Sequence, residues 1–401
     1  MDKRLLRLEV ENFRSLRKIS LPLRDLNVLV GANGAGKTNV LQVFDFLAKI
    51  IRTDLEPALD SIGGFDEVVF RGGEKSPASM RVRVTATWTT HSSINAPDEY
   101  DLRITRRTRE NISTLERAEK FSFKRIGGRG RRITISGERA SVVDTGVIEG
   151  EVQGSQSIGI RRLSSGLSTL PRLTDEAGGN EVSAVADRLA SFRVFDVAVA
   201  AARSPSRWPS YREQLAPDAS NIAAFLLSLS HEEPRAWSNL VDDALAVLPQ
   251  LRGIEFAYPS GAAREVVIVL HEAGLRVPTQ LADASYGTIR LLGLLALLYD
   301  PSPAALTCVE EVDHGLHPQA LELLVERLRE ASERTQLIIA THSPSLADRL
   351  RPDELIICER RSDGSSAIPA VRWPQIEKIV AASGDQPLGE LWFSGALGGD
   401  L

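Results

Sequence analysis

Residues Gly31-Ala32-Asn33-Gly34-Ala35-Gly36-Lys37-Thr38 constrain this chain more than any other part of its sequence. Glycines at this spacing let the backbone turn so that several N–H groups converge on one point, and Lys37 adds a positive charge beside them. Upstream, Asn27 to Val30 read as a short apolar strand. Downstream, Val40, Leu41, Phe44 and Leu47 share one face of a helix expected from Lys37 to about Arg52. A strand, a glycine turn and a helix N-terminus in that order make a phosphate cradle, with the positive end of the helix dipole aimed at the anion. Asn33, Gly34, Ala35 and Gly36 would surround the phosphates, Lys37 would reach the β and γ groups, and the Thr38 hydroxyl would ligate Mg²⁺. ATP and Mg²⁺ are therefore the expected cofactors.

Such a loop needs a carboxylate from a neighbouring strand to complete the metal site. The apolar run from Ala304 to Val309 ends in Glu310 and Glu311. Side chains alternate across a strand, so one of these acids can face the metal while the other faces an attacking water. A second apolar strand, Leu337 to Thr341, ends in His342, which in this setting reads as a sensor of the γ-phosphate. Around these runs the expected order is helix 286–299, strand 306–312, helix 318–332, strand 336–341, helix 344–350 and strand 354–359. That alternation indicates an α/β fold with a parallel, doubly wound sheet.

The rest of the chain reads differently. Alternating segments at 80–88, 100–106, 121–126, 131–136 and 142–152 suggest an antiparallel sheet. The character changes near residue 160, and from about 180 to 250 the pattern is helical. The expected division is an N-terminal part of the head at 1–75, an antiparallel β segment at 76–160, a helical insertion at 161–250 and the C-terminal part of the head at 251–401. The net charge is −5, yet Arg103 to Arg132 holds 11 Lys/Arg against 3 Asp/Glu. Arg125, Arg129, Arg131 and Arg132 are candidate contacts for DNA, RNA or an acidic partner, with a solvated hairpin face as the plainer alternative. The 401 residues contain no apolar run of about 18, so no membrane-spanning helix is expected. An N-terminus without a secretory pattern, and two cysteines inside apolar runs, point to the cytoplasm.

Taken together, these motifs resemble the ABC-type ATPases of the SMC, RecF and OLD (overcoming lysogenization defect) group. Leu8-Glu9-Val10-Glu11-Asn12-Phe13-Arg14-Ser15 resembles the group's first strand, leading into its glycine loop. Glu310 to Pro318 resembles the OLD-like Walker B and D-loop, in which Glu replaces the usual magnesium-associated Asp. Thr341-His342-Ser343 resembles the switch, and Ala284-Ser285-Tyr286-Gly287-Thr288 resembles the group's degenerate signature motif. The likeness covers about residues 1–50 and 275–360.

The resemblance implies a P-loop NTPase head of ABC type with an antiparallel β subdomain and a helical insertion. It implies a homodimer or higher oligomer, in which ATP on one P-loop meets Ser285 and Gly287 of the other copy. Glu310 would then serve Mg²⁺, Glu311 would polarise the attacking water and His342 would touch the γ-phosphate. The chain matches the group without a Toprim nuclease domain, so an effector nuclease is expected as a separate polypeptide. The expected role is an ATPase sensor in nucleic-acid-directed defence or repair. A transporter's nucleotide-binding subunit and a weakly hydrolysing ATP-gated scaffold are the alternatives.

Overall fold

In the computed structural model, residues 3–398 are described except 111, 126, 128, 147–151, 173, 175–178, 209–212, 260–263 and 385, and the side chains of 152–155. The architecture is an α/β P-loop head joined to a large antiparallel sheet. Five parallel strands form the centre, in the order Arg193–Phe195, Leu306–Glu310, Gln336–Thr341, Leu26–Val30 and Leu355–Ile357. Parallel sheets are buried on both faces, which is why these strands are almost continuous apolar runs. Leu26–Val30 and Gln336–Thr341 are buried at every position.

The two faces of this sheet face two different cores. Leu29, Cys308, Ile338 and Ile356 point toward the P-loop helix Lys37–Thr53 and the antiparallel sheet. Val28, Val30, Val309 and Ile339 point toward the helices Ile222–Glu232, Tyr286–Leu298 and Pro318–Ser332. Adjacent residues go to opposite cores because strand side chains alternate. Both cysteines are buried free thiols, and burial pushes Cys358 up to about 12.

Eight antiparallel strands make the second layer, running Leu16–Pro22, Leu5–Phe13, Ser79–Ala86, Asp98–Arg109, Ile112–Lys124, Gly130–Ser136, Arg139–Thr145 and Val152–Gly159. The alternation read over 142–152 is thus the end of one strand and the start of another, with 147–151 outside the described residues. The first two strands of the chain also belong here, not to the parallel sheet. Across the outer face, Arg81 lies between Glu11 (3.6 Å) and Asp101 (2.6 Å), and Arg83 between Glu9 (3.4 Å) and Glu99 (2.7 Å). Opposite charges on facing strands stabilise the register and neutralise part of the basic composition locally.

The stretch 161–250 is not wholly helical. Arg193–Phe195 pairs with Leu306–Glu310 at the edge of the parallel sheet, and Ser206–Arg207 pairs with Glu265–Glu272 in a small separate sheet. Strands of two or three residues are too short to show alternation, so only their pairing reveals them.

Candidate nucleotide site

Chain pairing brings together segments that lie some three hundred residues apart. Leu26–Val30 pairs in parallel with Gln336–Thr341, with Val30 opposite Thr341, and Glu310 lies opposite Ala340 on the next strand. The P-loop, the two acids and His342 therefore leave the same end of the same sheet, where ligands of open α/β folds bind.

The loop's shape depends on two glycines. Gly34 and Gly36 have φ of +81° and +100°, a region that side chains oppose. A Cβ on Gly36 would lie 2.2 Å from Ser366 Oγ and 2.7 Å from Ser15 Oγ. These two hydroxyls hydrogen-bond each other at 2.7 Å, and Asn39 Nδ2 donates to Ser15 Oγ at 2.6 Å. Ser15 sits in the motif that carried the family resemblance, but nothing in the sequence marks Ser366 as a neighbour of the loop.

Lys37 is buried, and its ammonium donates to the carbonyls of Gly31 (2.7 Å) and Ala32 (3.0 Å). Burial pushes it below its ordinary range, while Cys358, Glu311, Asp313 and Glu310 pull the other way. Asn33 and Gly34 are exposed at the loop's tip, Ala35 is buried under it, and Thr38 is exposed in the first turn of the helix.

The strand Leu306–Glu310 stops at Glu310 because Glu311 takes φ +46°, which ends the extended backbone. Both acids are half-buried. Glu311 approaches His314 (3.4 Å) and His342 (3.8 Å) through its two oxygens. Thr341 Oγ1 donates to Asp313 at 2.5 Å, binding the D-loop turn to the switch strand. Arg290, which the sequence reading missed, is buried and donates to the carbonyl of Glu311 at 2.8 Å. An arginine inside an apolar helix was the available signal.

Ser285 caps the helix Tyr286–Leu298 by accepting from the amide of Thr288 at 3.1 Å. Gly287 lies so close to the D-loop that a Cβ there would be 2.4 Å from the carbonyl oxygen of Gly315. Tyr286 packs on His314 with ring centroids 5.5 Å apart. Among the described residues, no hydrogen bond joins Ser285 or Gly287 to the P-loop of the same chain. Ser285 is exposed.

The basic segment is less open to solvent than its composition suggests. Arg131 is buried, with its guanidinium held by Asp144 (2.7 and 2.9 Å) and Glu181 (3.3 Å). Residues alternate along Gly130–Ser136, so Arg131 points inward with Ile133 and Ile135, and only Arg132 points out. Arg125 is half-buried and 3.2 Å from both Asp144 and Glu181. Arg129 and Arg132 remain exposed. The Ser164-Ser165-Gly166 run, featureless in sequence, is a joint between the layers. Ser165 Oγ and the amide of Gly166 donate to the buried Glu119, while Ser164 Oγ donates to Asp54 at the end of the P-loop helix.

The chain is similar to several known proteins. A family model described as "AAA domain, putative AbiEii toxin, Type IV TA system" matches residues 150–348, and one described as "AAA ATPase domain" matches residues 4–112. An OLD nuclease of Thermus scotoductus is 47% identical over 57 residues, which are 14% of this chain and 10% of that protein. Structural maintenance of chromosomes protein 1 of Schizosaccharomyces pombe is 38% identical over 71 residues, 17% of this chain and 5% of that protein. The chain carries AAA ATPase segments and is similar to ABC-type ATPases of the SMC/OLD kind. It spans a tenth or less of the length of these two relatives. The fold of the ATPase is that of SMC heads. A head bound to the C-terminal winged-helix domain of ScpA matches with a TM-score of 0.52 at 13% identity, over 91% of this chain and 96% of that one. A Pyrococcus furiosus head with an extended coiled coil, bound to the C-terminal domain of ScpA, matches at 0.53 and 12%, over 95% and 100%. Among the described residues, no helix of the ATPase is long and apolar enough to cross a membrane.

Proposed function

We propose that the ATPase dimerises around ATP and uses that cycle as a switch in a nucleic-acid-directed defence or repair system, with a separate nuclease as effector. In this reading the amides of Asn33 to Gly36 bind phosphate oxygens and Lys37 places its charge on the β and γ groups. The oxygen donors Thr38 and Glu310 suit Mg²⁺, a hard cation that neutralises charge on the phosphates when bound. Glu311 accepts the proton of the attacking water, and His342 orients the γ-phosphate beside it. Ser285 and Gly287 complete the site of a second copy.

The observation that supports a shared site is the exposed, capped N-terminus of the helix Tyr286–Leu298, which carries Ser285 yet bonds nothing in its own P-loop. Such a helix end offers amides and a hydroxyl to an anion. The acidic pair at the strand end, close to His342, supports hydrolysis in place of a scaffold that only binds. The nuclease and the defence or repair role rest on the likeness to the OLD nuclease and to chromosome-maintenance proteins.

The test is oligomeric state under turnover block. Glu311→Gln keeps the shape of the carboxylate but accepts no proton, so ATP should hold it as a dimer in light scattering while hydrolysis falls at least a hundredfold. Ser285→Arg and Lys37→Ala should each be inactive alone and regain part of the activity when mixed, since one of two shared sites is then intact. A monomeric Glu311→Gln with ATP bound, together with no recovery at any mixing ratio, would sink the shared-site reading.

A further inference from the structure

On the inner side of the basic segment lies a cavity of about 440 Å³, well away from the P-loop in the chain. Its walls come from four places: Lys3 before the first strand, the segment Trp88–His91 after strand Ser79–Ala86, Lys124, Arg125 and Arg129 at the end of strand Ile112–Lys124 and just beyond it, and the N-terminal half of helix Gly179–Ala190. Lys3, His91, Lys124, Arg125 and Arg129 line it. The volume is that of a small-molecule site, but the wall is cationic where such sites are usually apolar.

The charge balance inside the cavity is one-sided. Among the described residues that line it, Glu181 is the only acid, and it is neutralised by Arg125 at 3.2 Å and Arg131 at 3.3 Å. Arg125 is thereby fixed in the wall. Lys3, Lys124 and Arg129 are exposed and have no carboxylate partner among the described residues. Three like charges converge on one concavity in a chain whose net charge is −5. Like charges left facing each other cost free energy unless an anion shares the space. Asn180 adds an amide side chain, and the helix that starts at Gly179 brings its N-terminal turn to the same wall.

We propose that this cavity is a second anion site, separate from the P-loop, that binds closely spaced phosphate groups. Several cations on separate elements suit a ligand with more than one phosphate better than a single carboxylate. Of the wall's two rings, Trp88 is 2% exposed and offers no free face, which leaves the imidazole of His91 as the one ring a base could meet. Recognition is therefore mainly through phosphate oxygens. Two sources carry that chemistry: a free polyphosphate, including the tail of a nucleotide, or the backbone of a nucleic acid. The proposal does not depend on the ATPase cycle, because the test removes the P-loop as a competitor.

The full chain carrying Lys37→Ala is titrated with inorganic tripolyphosphate by calorimetry and with a short DNA duplex by fluorescence anisotropy. Lys124→Glu/Arg129→Glu is then added in that background. Binding of at least one probe should weaken tenfold or more, and for duplex DNA the salt slope should flatten by about 1.8, the value for two lost phosphate contacts. Arg103→Glu/Lys120→Glu, the same charge change outside the cavity, should weaken binding less than twofold. Loss with tripolyphosphate alone supports a free polyphosphate as ligand, loss with DNA alone supports a nucleic-acid backbone, and loss with both supports the shared chemistry. Melting curves confirm that each variant is folded; should the Glu variant fail to fold, Lys124→Gln/Arg129→Gln replaces it with a threefold loss expected. No binding of either probe before substitution, or equal losses from the two double variants, would overturn the site.

Discussion

Arg131→Gln separates the two faces of one strand, the inward ion pair of Arg131 from the outward charge of Arg132. The Arg131 side chain is 3% exposed, against 33% for Asp144 and 16% for Glu181. Removing one partner of a fully buried ion pair costs about 3–5 kcal/mol, whereas exposed pairs contribute about 0–1 kcal/mol. Here the carboxylates keep some water, and Arg125 stands 3.2 Å from each to take over part of the pairing. The expected loss is therefore between those limits, about 2–3 kcal/mol, or roughly 30- to 150-fold in the folding constant. Urea unfolding followed by tryptophan fluorescence measures it, with an unchanged m value showing that the unfolded state is not the cause. Arg132→Gln, one residue on and facing solvent, should stay within about 0.5 kcal/mol of the parent. The hydrogen bond from Arg131 holds the Asp144 carboxyl below its ordinary range. An acid depressed in this way contributes stability above its unfolded pKa and loses it as pH falls through the folded one. The gap between parent and Arg131→Gln should thus be steady above about pH 5 and narrow below about pH 4. Equal costs for the two variants, or a gap that widens in acid, would refute the inward assignment of Arg131.

Three other substitutions probe the site and the joint that holds it. Gly36→Ala forces a side chain into φ +100° and against Ser366 Oγ at 2.2 Å, so calorimetry should show ATP affinity down tenfold or more and melting should show a loss of about 1–3 kcal/mol. Gly287→Ala must displace the D-loop carbonyl of Gly315, and steady-state kinetics should show a fall in kcat with ATP affinity of the monomer kept. Glu119→Ala would leave the fully buried Arg117 without its ion-pair partner, and Tyr100, Ser165 and Gly166 without their acceptor, at a cost of about 3–5 kcal/mol in urea unfolding. Arg117→Met/Glu119→Leu should recover part of that loss, because the donors of Tyr100, Ser165 and Gly166 still lack their acceptor, and a double variant no better than Glu119→Ala would show that the pair is not the source.

What the sequence determined by itself was local. The strand, glycine turn and helix around Lys37, the apolar strand ending in Glu310 and Glu311, and the strand ending at Thr341 each carry their signal within about ten residues. Their order along the chain was enough for a parallel sheet and an ATPase head. What tertiary structure alone decided was which distant residues face each other. Ser366 closes over Gly36, Gly287 rests on Gly315, and the three residues Arg193–Phe195 extend the sheet beside Leu306–Glu310. The charges near Arg131 depended on it too. Eleven cations in thirty residues look alike in composition, but the pleat turns Arg131 inward to two carboxylates and Arg132 outward to water. Composition counts charges, whereas burial and pairing decide their energy, and both are set by strand register and by the layer that packs on top.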